Sequence, residues 1–510
     1  MATHIRSMGL LGLSSYEVSI ECDLSSGLPR FDIVGLPDAA VKESRERVHA
    51  AMKNCDFKFP ISRITVNLAP GDTKKVGTLY DLPIFLGILA AAGYVRDIPQ
   101  DAAFFGELSL AGDLRPIKGA LPLAMGARRA GIKQVFLPAE SAFEAAFTLD
   151  IDVYPVENIH QLLSHLSGRT SIEPLPPPEI APAEDQLLDF ADVKGQEHVK
   201  RAMEVAAAGG HNILLVGPPG AGKSMLAKRL PSILPEMTRE EVMQVTEIHS
   251  IAGMTDRENP LVKVRPFRSP HHTVSAPAMT GGTSNPKPGE ISLGHHGVLF
   301  LDEFPEFNKH VLETLRQPLE DGQVTIARVS STVTFPSRFM LVCAMNPCKC
   351  GWYGHISGRC ICTEMAVSQY HSRLSGPLLD RIDLFIEVPA LEYDELRQWA
   401  PAEPSKDIRE RVNAARALQT KRYQTEDESE HNGVMANAHM EQSELKTYCR
   451  LEPDAENLMR GAFDRLNLTA RSYDRILRVA RTIADLDGSE QIDAAHLAEA
   501  IQYRTYDFRN

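Results

Sequence analysis

The chain has 510 residues, of which 43% are hydrophobic and 24% are charged, and its formal net charge is −13. Length alone predicts about three domains, and the composition is that of a soluble globular protein. The acidic balance excludes a nucleic-acid binder with a generally basic surface. If the protein binds DNA, the contacts must therefore come from local basic residues.

No stretch reads as membrane-spanning. The longest apolar run, residues 80–95, contains Asp81 and Pro83 and is shorter than the roughly 20 residues that a bilayer requires. The N-terminal segment has no apolar signal region. The chain has eight cysteines, and without a secretion signal these favour reduced thiols or metal ligands over disulfides. We therefore expect a cytoplasmic protein with no membrane partner.

Residues 1–168 alternate between strand-like and helix-like patterns. Residues 17–22 and 64–68 have the short apolar or alternating character of strands, and residues 38–53 have apolar positions on one helical face. Residues 169–187 are rich in proline and polar side chains, which is typical of a semi-rigid linker. The sequence therefore predicts a first α+β domain that ends at residue 168.

The pattern changes in residues 188–390, where short apolar runs suit the inner strands of a parallel sheet. Residues 391–510 are helix-like and polar, and residues 423–441 are too polar to bury much. The prediction is an α/β multidomain chain whose C-terminal region is helical. The predicted strands are residues 213–216, 298–301 and 339–344, and the predicted C-terminal helices are residues 455–465, 471–486 and 494–503.

Residues 217–224 read GPPGAGKS and follow a predicted strand, as the P-loop motif G-x-x-x-x-G-K-[ST] requires. Its backbone N–H groups and the following helix N-terminus form an anion cradle for phosphates. Lys223 is expected to reach the β- and γ-phosphates of ATP, and Ser224 to coordinate Mg²⁺. The predicted nucleotide-binding segment is Gly217, Pro218, Pro219, Gly220, Ala221, Gly222, Lys223, Ser224 and Met225.

A second acidic motif follows the P-loop. The run VLFLDE places Asp302 and Glu303 at the carboxyl end of an apolar strand, where open α/β sheets bind ligands. Asp302 is predicted to hold Mg²⁺ through water, and Glu303 to polarise the attacking water. Both motifs together predict an ATP hydrolase.

Several long motifs carry a family resemblance. They are GLPDAAVKESRERV, AAAGGHNILLVGPPGAGKS, RPFRSPHHT, GEISLGHHGVLFLDEF, RQPLEDG, AMNPCKCG, SGPLLDRIDL and ARSYDRILRVARTIADL. The chain resembles the YifB/ComM family of magnesium-chelatase-like AAA+ ATPases through essentially its whole length. This resemblance implies a central AAA+ core, a C-terminal helical lid at residues 391–510 and a ring, commonly a homo-hexamer.

The resemblance also implies roles for single residues. Asn346 resembles sensor 1, which helps to position the lytic water, and the adenine pocket would include Val193 and Gln196. Arg381 resembles the arginine that such subunits insert into a neighbour's site, and Arg471 resembles sensor 2, which contacts the γ-phosphate. For each arginine the alternative is a surface ion pair.

The resemblance further implies two pore elements. Residues 263–293 look like the helix-2 insert of this clade, and residues 322–336 look like its pre-sensor hairpin, which two alternating runs also predict unaided. Arg328 and Lys287 are candidate phosphate contacts, with solvated loop charges as the rival interpretation. The pairs His271–His272 and His295–His296 suggest metal, but loop or capping histidines are the preferred interpretation.

The N-terminal region resembles the Lon protease domain, a ribosomal-S5-like fold. On that alignment Leu121 occupies the place of the catalytic lysine, Lys118 comes three residues early, and residues 74–88 contain no serine. A Ser–Lys dyad needs both partners within hydrogen-bond reach. The domain is therefore expected to be proteolytically inactive.

Two close cysteine pairs are the last candidate site. Cys348, Cys350, Cys360 and Cys362 form C-x-C…C-x-C with nine residues between the pairs, in a loop at residues 348–362. Four thiolates suit tetrahedral Zn²⁺, although these pairs are tighter than the usual spacing. His355 is an alternative ligand, and four reduced cysteines without metal are the other interpretation.

The leading functional hypothesis, implied by the resemblance, is a hexameric ATPase that translocates on single-stranded or branched DNA. It would drive branch migration of recombination intermediates during natural transformation. The alternative is a remodeller of protein complexes of the magnesium-chelatase I-subunit type, although that subunit is expected to lack the N-terminal domain. A scaffold with a purely structural ATP site conflicts with the intact Glu303, and an ATP-dependent protease conflicts with the missing dyad.

Overall fold

A computed structural model describes residues 3–178, 187–282, 286–328, 331–355, 357–390, 402–423, 436–466 and 468–504. Within these residues no helix is both long and apolar enough to cross a membrane. The described residues form an N-terminal α+β unit, a central parallel α/β unit and a C-terminal group of helices.

The N-terminal unit is a seven-stranded mixed sheet in the order β3-β4-β2-β1-β5-β8-β9. Val18, Ile20 and Cys22 alternate into its core, as a half-buried strand requires. Its strands are β1 Thr3–Leu11, β2 Ser14–Ser25, β3 Arg30–Val34, β4 Arg63–Ala69, β5 Ala102–Phe104, β8 Gln134–Pro138 and β9 Asp152–Val156, with a separate pair β6 Glu107–Leu108 and β7 Leu114–Arg115. The predicted strands at 17–22 and 64–68 are confirmed.

Five helices pack on this sheet: α1 Ala39–Asn54, α2 Asp81–Ala91, α3 Ala120–Arg129, α4 Ala139–Ala145 and α5 Ile159–Leu166. Helix α1, predicted at residues 38–53, begins where Asp38 Oδ1 accepts the Val41 N–H at 2.8 Å, a typical N-cap. The first part of the predicted linker belongs to this unit. Ile172 is buried in its core, and the Leu175 N–H donates to Val153 O at 2.9 Å. Residues 179–186 lie outside the described residues.

The central unit is a five-stranded parallel sheet in the order β11-β12-β15-β10-β16. The three predicted strands are confirmed as β10 Ile213–Val216, β12 Val298–Leu301 and β15 Met340–Met345, all fully buried. The edge strands are β11 Phe267–Arg268 and β16 Leu384–Glu387. Since β15 lies between β10 and β12, the residues that follow these three strands meet at one edge.

Nine α-helices of the described residues belong to this central unit. They are α6 Glu197–Gly209, α7 Lys223–Arg229, α8 Arg239–Ala252, α9 Ala276–Thr280, α10 Glu290–Leu293, α11 Lys309–Glu313, α12 Arg316–Asp321, α13 Glu364–His371 and α14 Gly376–Leu379. The predicted insert begins too early at residue 263, because Phe267 and Arg268 pair with β12 as part of the core sheet.

The predicted hairpin is present as the antiparallel strands β13 Gln323–Arg328 and β14 Ser331–Pro336. One face is apolar, with Val324, Ile326, Val333 and Phe335 buried, while the opposite face carries exposed threonines such as Thr325. The hairpin therefore has one anchored face and one open, polar face.

The C-terminal helices are α15 Ser405–Tyr423, α16 Gln442–Tyr448, α17 Pro453–Arg465, α18 Ala470–Leu486 and α19 Ala494–Gln502. Buried Asp383, just before β16, ties them to the sheet: it accepts the Asn212 N–H at 3.0 Å and pairs with Arg475 of α18. Burial opposes its ionised form, but Arg475 and these hydrogen bonds lower the pKa of Asp383. The three helices predicted at residues 455–465, 471–486 and 494–503 are confirmed.

The N-terminal and central units share a polar contact. Glu144 of α4 is buried and accepts the Ala120 N–H at 2.7 Å and the hydroxyls of Ser250 at 2.8 Å and Thr255 at 2.5 Å. Burial raises the pKa of Glu144. A second contact brings the β1–β2 turn at Gly12 against Val333 of the hairpin. The N-terminal unit therefore touches both α8 and the hairpin.

Candidate nucleotide site

The P-loop is the segment between β10 and α7. Gly222 has φ +90°, a left-handed conformation that favours glycine. A Cβ at Gly217 would lie 2.2 Å from Val388 O, so only glycine permits this close approach to the chain after β16. The local sequence thus builds a tight loop that ends in a helix N-terminus, where anions bind.

Lys223 lies in the first turn of α7 and is buried. Its Nζ donates to Gly217 O at 2.7 Å, to Pro218 O at 2.9 Å and to Asn346 Oδ1 at 3.1 Å. Burial lowers the pKa of Lys223, an effect that nearby Asp302 opposes. The loop carbonyls therefore hold an ammonium that a phosphate would pair with more strongly.

Ser224 and Asp302, the two predicted Mg²⁺ ligands, are in direct contact: Ser224 Oγ donates to Asp302 Oδ2 at 2.6 Å. The Glu303 N–H donates to Asp302 Oδ1 at 2.9 Å and fixes the carboxylate plane. Glu303 has φ +52°, which a non-glycine residue adopts at a cost and usually at a functional site. A hydroxyl beside a carboxylate is the hard oxygen donor set that Mg²⁺ prefers.

One contact was not predicted. His272 Nδ1 lies 3.3 Å from Glu303 Oε2, so the motif RPFRSPHHT reaches the acid of the second motif. The preferred interpretation of His271–His272 as loop histidines gave no reason to expect this. The length of the motif RPFRSPHHT marked it as distinctive. The sequence did not indicate that the motif would lie beside Glu303.

Gln196 and Val193 were predicted to line the adenine pocket. Gln196 is buried, and its Nε2 donates to Ala221 O at 2.8 Å and to Pro389 O at 3.1 Å. Its Oε1 is buried with no hydrogen-bond partner among the described residues. An orphaned acceptor beside the P-loop fits a donor such as the adenine amino group. Val193 is fully buried in the same core.

Arg381, predicted to act in a neighbour's site, and Arg471, predicted to contact the γ-phosphate, lie close to each other. Arg381 is buried, pairs with Glu320 and donates to Pro377 O, while exposed Arg471 lies 3.8 Å from Asp380 Oδ2. Burial lowers the pKa of Arg381, and its arginine neighbours, Arg471 included, lower it further. No hydrogen bond or ion pair of the described residues joins either arginine to residues 217–225.

The predicted DNA contacts are only partly described. Lys287 is exposed in the loop between α9 and α10, which closes where Gly281 pairs with Pro288. The Arg328 side chain lies outside the described residues. His295 and His296 pack near Glu241 and Gln244, and burial lowers the pKa of His296 to about 4. Within the described residues, this histidine pair belongs to no metal-ligand cluster.

The four cysteines come together as predicted from their spacing. The Sγ atoms of Cys348, Cys350, Cys360 and Cys362 all lie within 4.8 Å of one another. His355 is not part of this group among the described residues; its Nδ1 instead lies 2.8 Å from Ser357 Oγ. The proposal that His355 replaces a cysteine ligand therefore has no geometric support.

Three family models match the chain. Residues 189–396 match magnesium chelatase, subunit ChlI, residues 20–141 match subunit ChlI of Mg-chelatase, and residues 402–504 match the magnesium chelatase subunit ChlI C-terminal model. The N-terminal match lies within the predicted first domain.

Curated relatives cover nearly the whole chain. It is 41% identical to competence protein ComM of Haemophilus influenzae, over 98% of this chain and 97% of that protein. It is 39% identical to protein YifB of Escherichia coli, over 99% and 97%. The magnesium-chelatase 38 kDa subunit of Cereibacter sphaeroides is 27% identical over 31% of this chain and 52% of that protein.

Proposed function

Because the chain belongs to the YifB/ComM family of magnesium-chelatase-like AAA+ ATPases, we propose that it is a ring-forming motor that uses ATP hydrolysis to move along or remodel DNA. The observation that carries the proposal is the convergence of the P-loop, Asp302 and Asn346 at one edge of the parallel sheet. The proposed location is the cytoplasm.

The proposed cofactor is Mg²⁺, with ATP as substrate. Bound Mg²⁺ would neutralise charge on the β- and γ-phosphates. Ser224 and Asp302 would hold it, because their oxygens already share one hydrogen bond. Lys223 would exchange its bonds to two loop carbonyls for phosphate oxygens, and Asn346, which contacts Lys223, would orient the attacking water.

Glu303 is the proposed general base. Its carboxylate is exposed, contacts His272, and is aimed by the unusual backbone at residue 303. His272 would hold this carboxylate in place until water and γ-phosphate are in line. This role accounts for the contact between His272, which follows β11 in the chain, and Glu303, which follows β12.

Completion of the site is proposed to require a second subunit. Arg381 and Arg471 belong to one basic cluster and have no contact with their own P-loop among the described residues. An arginine that acts on the transition state in a neighbour's site explains both facts. In the isolated chain Glu320 holds Arg381, so assembly into a ring, proposed to be hexameric, must open that pair.

DNA is the proposed substrate because the relative from Haemophilus influenzae is a competence protein and because the hairpin presents an open polar face. The net charge of −13 repels phosphates at long range, so binding must rest on few contacts repeated around a pore. Lys287 and Arg328 are the proposed contacts. The N-terminal unit, proposed to be a Lon-like fold without protease activity, has buried Leu121 at the position of the lysine.

Fluorescence anisotropy with labelled single-stranded and forked DNA, in the presence of a non-hydrolysable ATP analogue, tests the substrate. The variants Lys287→Ala and Arg328→Ala should weaken binding of all sequences similarly and flatten its salt dependence. Arg460→Ala, which removes an exposed arginine on α17, is the matched control and should change neither. The absence of saturable DNA binding at low salt would favour the alternative, a remodeller of protein complexes. The match to the magnesium-chelatase family model supports that alternative.

A further inference from the structure

The loop that contains the cysteine pairs follows β15 and Asn346 directly. Cys348 is buried, while Cys350, Cys360 and Cys362 are half-buried. Between the pairs, Tyr353 and His355 are at most half-buried and Gly354 and Gly358 are open. Such a loop buries too little apolar surface to hold itself together.

We propose that these four cysteines bind one structural Zn²⁺ that holds the phosphate-binding loop in position. The proposal adds a metal site to the proposed ATPase and rests on that function only for its effect on nucleotide binding. Each thiol would lose its proton to solvent as its sulfur bonds to the metal.

The sulfur distances carry the first part of the proposal. Cys348 Sγ lies 3.3 Å from Cys350 Sγ and 3.9 Å from Cys360 Sγ, and Cys350 Sγ lies 3.6 Å from Cys360 Sγ. A disulfide requires about 2.05 Å. Tetrahedral Zn²⁺ with bonds of about 2.3 Å places its sulfur ligands about 3.8 Å apart. The cluster therefore has the dimensions of a tetrathiolate metal site.

Contacts within the loop help to bring the two cysteine pairs together. The Gly351 N–H donates to Cys348 O at 3.0 Å, which forms a turn around the first pair. The guanidinium of Arg359 lies 5.2 Å from the ring centre of Trp352 and brings the second pair back towards the first. Two further turns, His355 N–H to Trp352 O at 3.2 Å and Gly358 N–H to His355 O at 3.1 Å, fold the segment between the pairs, and a metal would join the two pairs directly.

The second part of the proposal is the contact with the nucleotide site. A Cβ at Gly351 would lie 2.5 Å from Cδ of Pro219 and 3.8 Å from Cγ of Asn346. The backbone between the cysteines therefore packs directly on the P-loop. Nε2 of His371, in α13, lies 2.8 Å from Pro347 O and so supports the same turn. Loss of the metal would remove the surface on which Pro219 rests.

Metal content of the full-length protein is the first test. Protein purified without chelators should contain about one equivalent of zinc per chain by elemental analysis. Cys360→Ser should retain less than about a tenth of this after dialysis. Cys55→Ser is the matched control, because Cys55 lies in the N-terminal unit, where its Sγ donates to Ala111 O outside the cluster. Zinc-free wild-type protein that also fails to take up added Zn²⁺ would overturn the proposal.

The affinity for a fluorescent ATP analogue is the second test. Cys360→Ser should bind it at least about tenfold more weakly than wild type, whereas Cys55→Ser should not. Unchanged affinity in a zinc-free Cys360→Ser protein would overturn the positioning role. Lys223→Ala separates the two proposals, since it should lose nucleotide and keep zinc. A wild-type protein with zinc but no ATP hydrolysis would refute the motor and leave the metal site standing.

Discussion

Replacement of Gly351 by alanine isolates the contact between the cysteine loop and the P-loop. Gly351 has φ +86°, which costs alanine about 1–2 kcal/mol. The added methyl would also lie 2.5 Å and 2.6 Å from two ring atoms of Pro219. Relief of such overpacking typically costs about 1–3 kcal/mol. If the P-loop moves to relieve it, ATP affinity should fall by about 5- to 150-fold.

Gly354→Ala is the matched control for this change. Gly354 has φ +74° in the same loop, and nothing lies within 4 Å of the position of its Cβ. It therefore carries the backbone cost without the collision. Titration of a fluorescent ATP analogue into both variants, with their melting temperatures, measures the difference. Equal ATP affinities for Gly351→Ala and Gly354→Ala would refute the claim that this loop positions the P-loop.

Three further predictions concern other contacts. Glu144→Ala leaves two backbone N–H groups and two hydroxyls without their acceptor. Chemical denaturation should therefore show that the free energy of unfolding falls by about 2–4 kcal/mol. The matched control, exposed Glu140→Ala, should lower it by less than about 0.5 kcal/mol. Arg381→Ala should keep ATP affinity and lose about 10³-fold in hydrolysis, with partial recovery when mixed with Glu303→Gln subunits; no recovery at any ratio contradicts a shared site. His272→Ala should lower kcat more than it changes KM in steady-state assays, because its partner Glu303 acts only after binding; a change in KM alone contradicts this role.

The arrangement of the candidate nucleotide site could largely be predicted because its parts are local. A glycine-rich loop after one apolar strand and two acids after another can be recognised from short motifs and from the spacing of apolar residues. Their meeting follows from the parallel sheet, in which β15 lies between β10 and β12. The contact of His272 with Glu303 could not be predicted, because it depends on how the chain after β11 crosses the sheet edge.

Some of the predicted bounds were wrong for physical reasons. The insert was placed too early because β11 has two residues, too few for any periodicity. Residues 423–441 were expected to be too polar to bury much; among the described residues of this segment, Asn437 is nevertheless fully buried. Its Nδ2 donates to Thr482 Oγ1 at 3.0 Å and to Asp485 Oδ2 at 2.8 Å, so partners in α18 satisfy it. Residues 424–435 of that segment lie outside the described residues. Sequence gives composition, but not the partners that tertiary structure supplies.

The steady-state rate of ATP hydrolysis by Glu303→Gln is the most direct test of the central claim. The amide keeps the size of the side chain and cannot accept the proton of the attacking water. The variant should bind the ATP analogue as tightly as wild type and hydrolyse ATP at least about 100-fold more slowly. Glu306→Gln is the matched control, three residues further along the chain, and should hydrolyse ATP near the wild-type rate. Wild-type turnover by Glu303→Gln would contradict the assignment of this site as the hydrolytic centre.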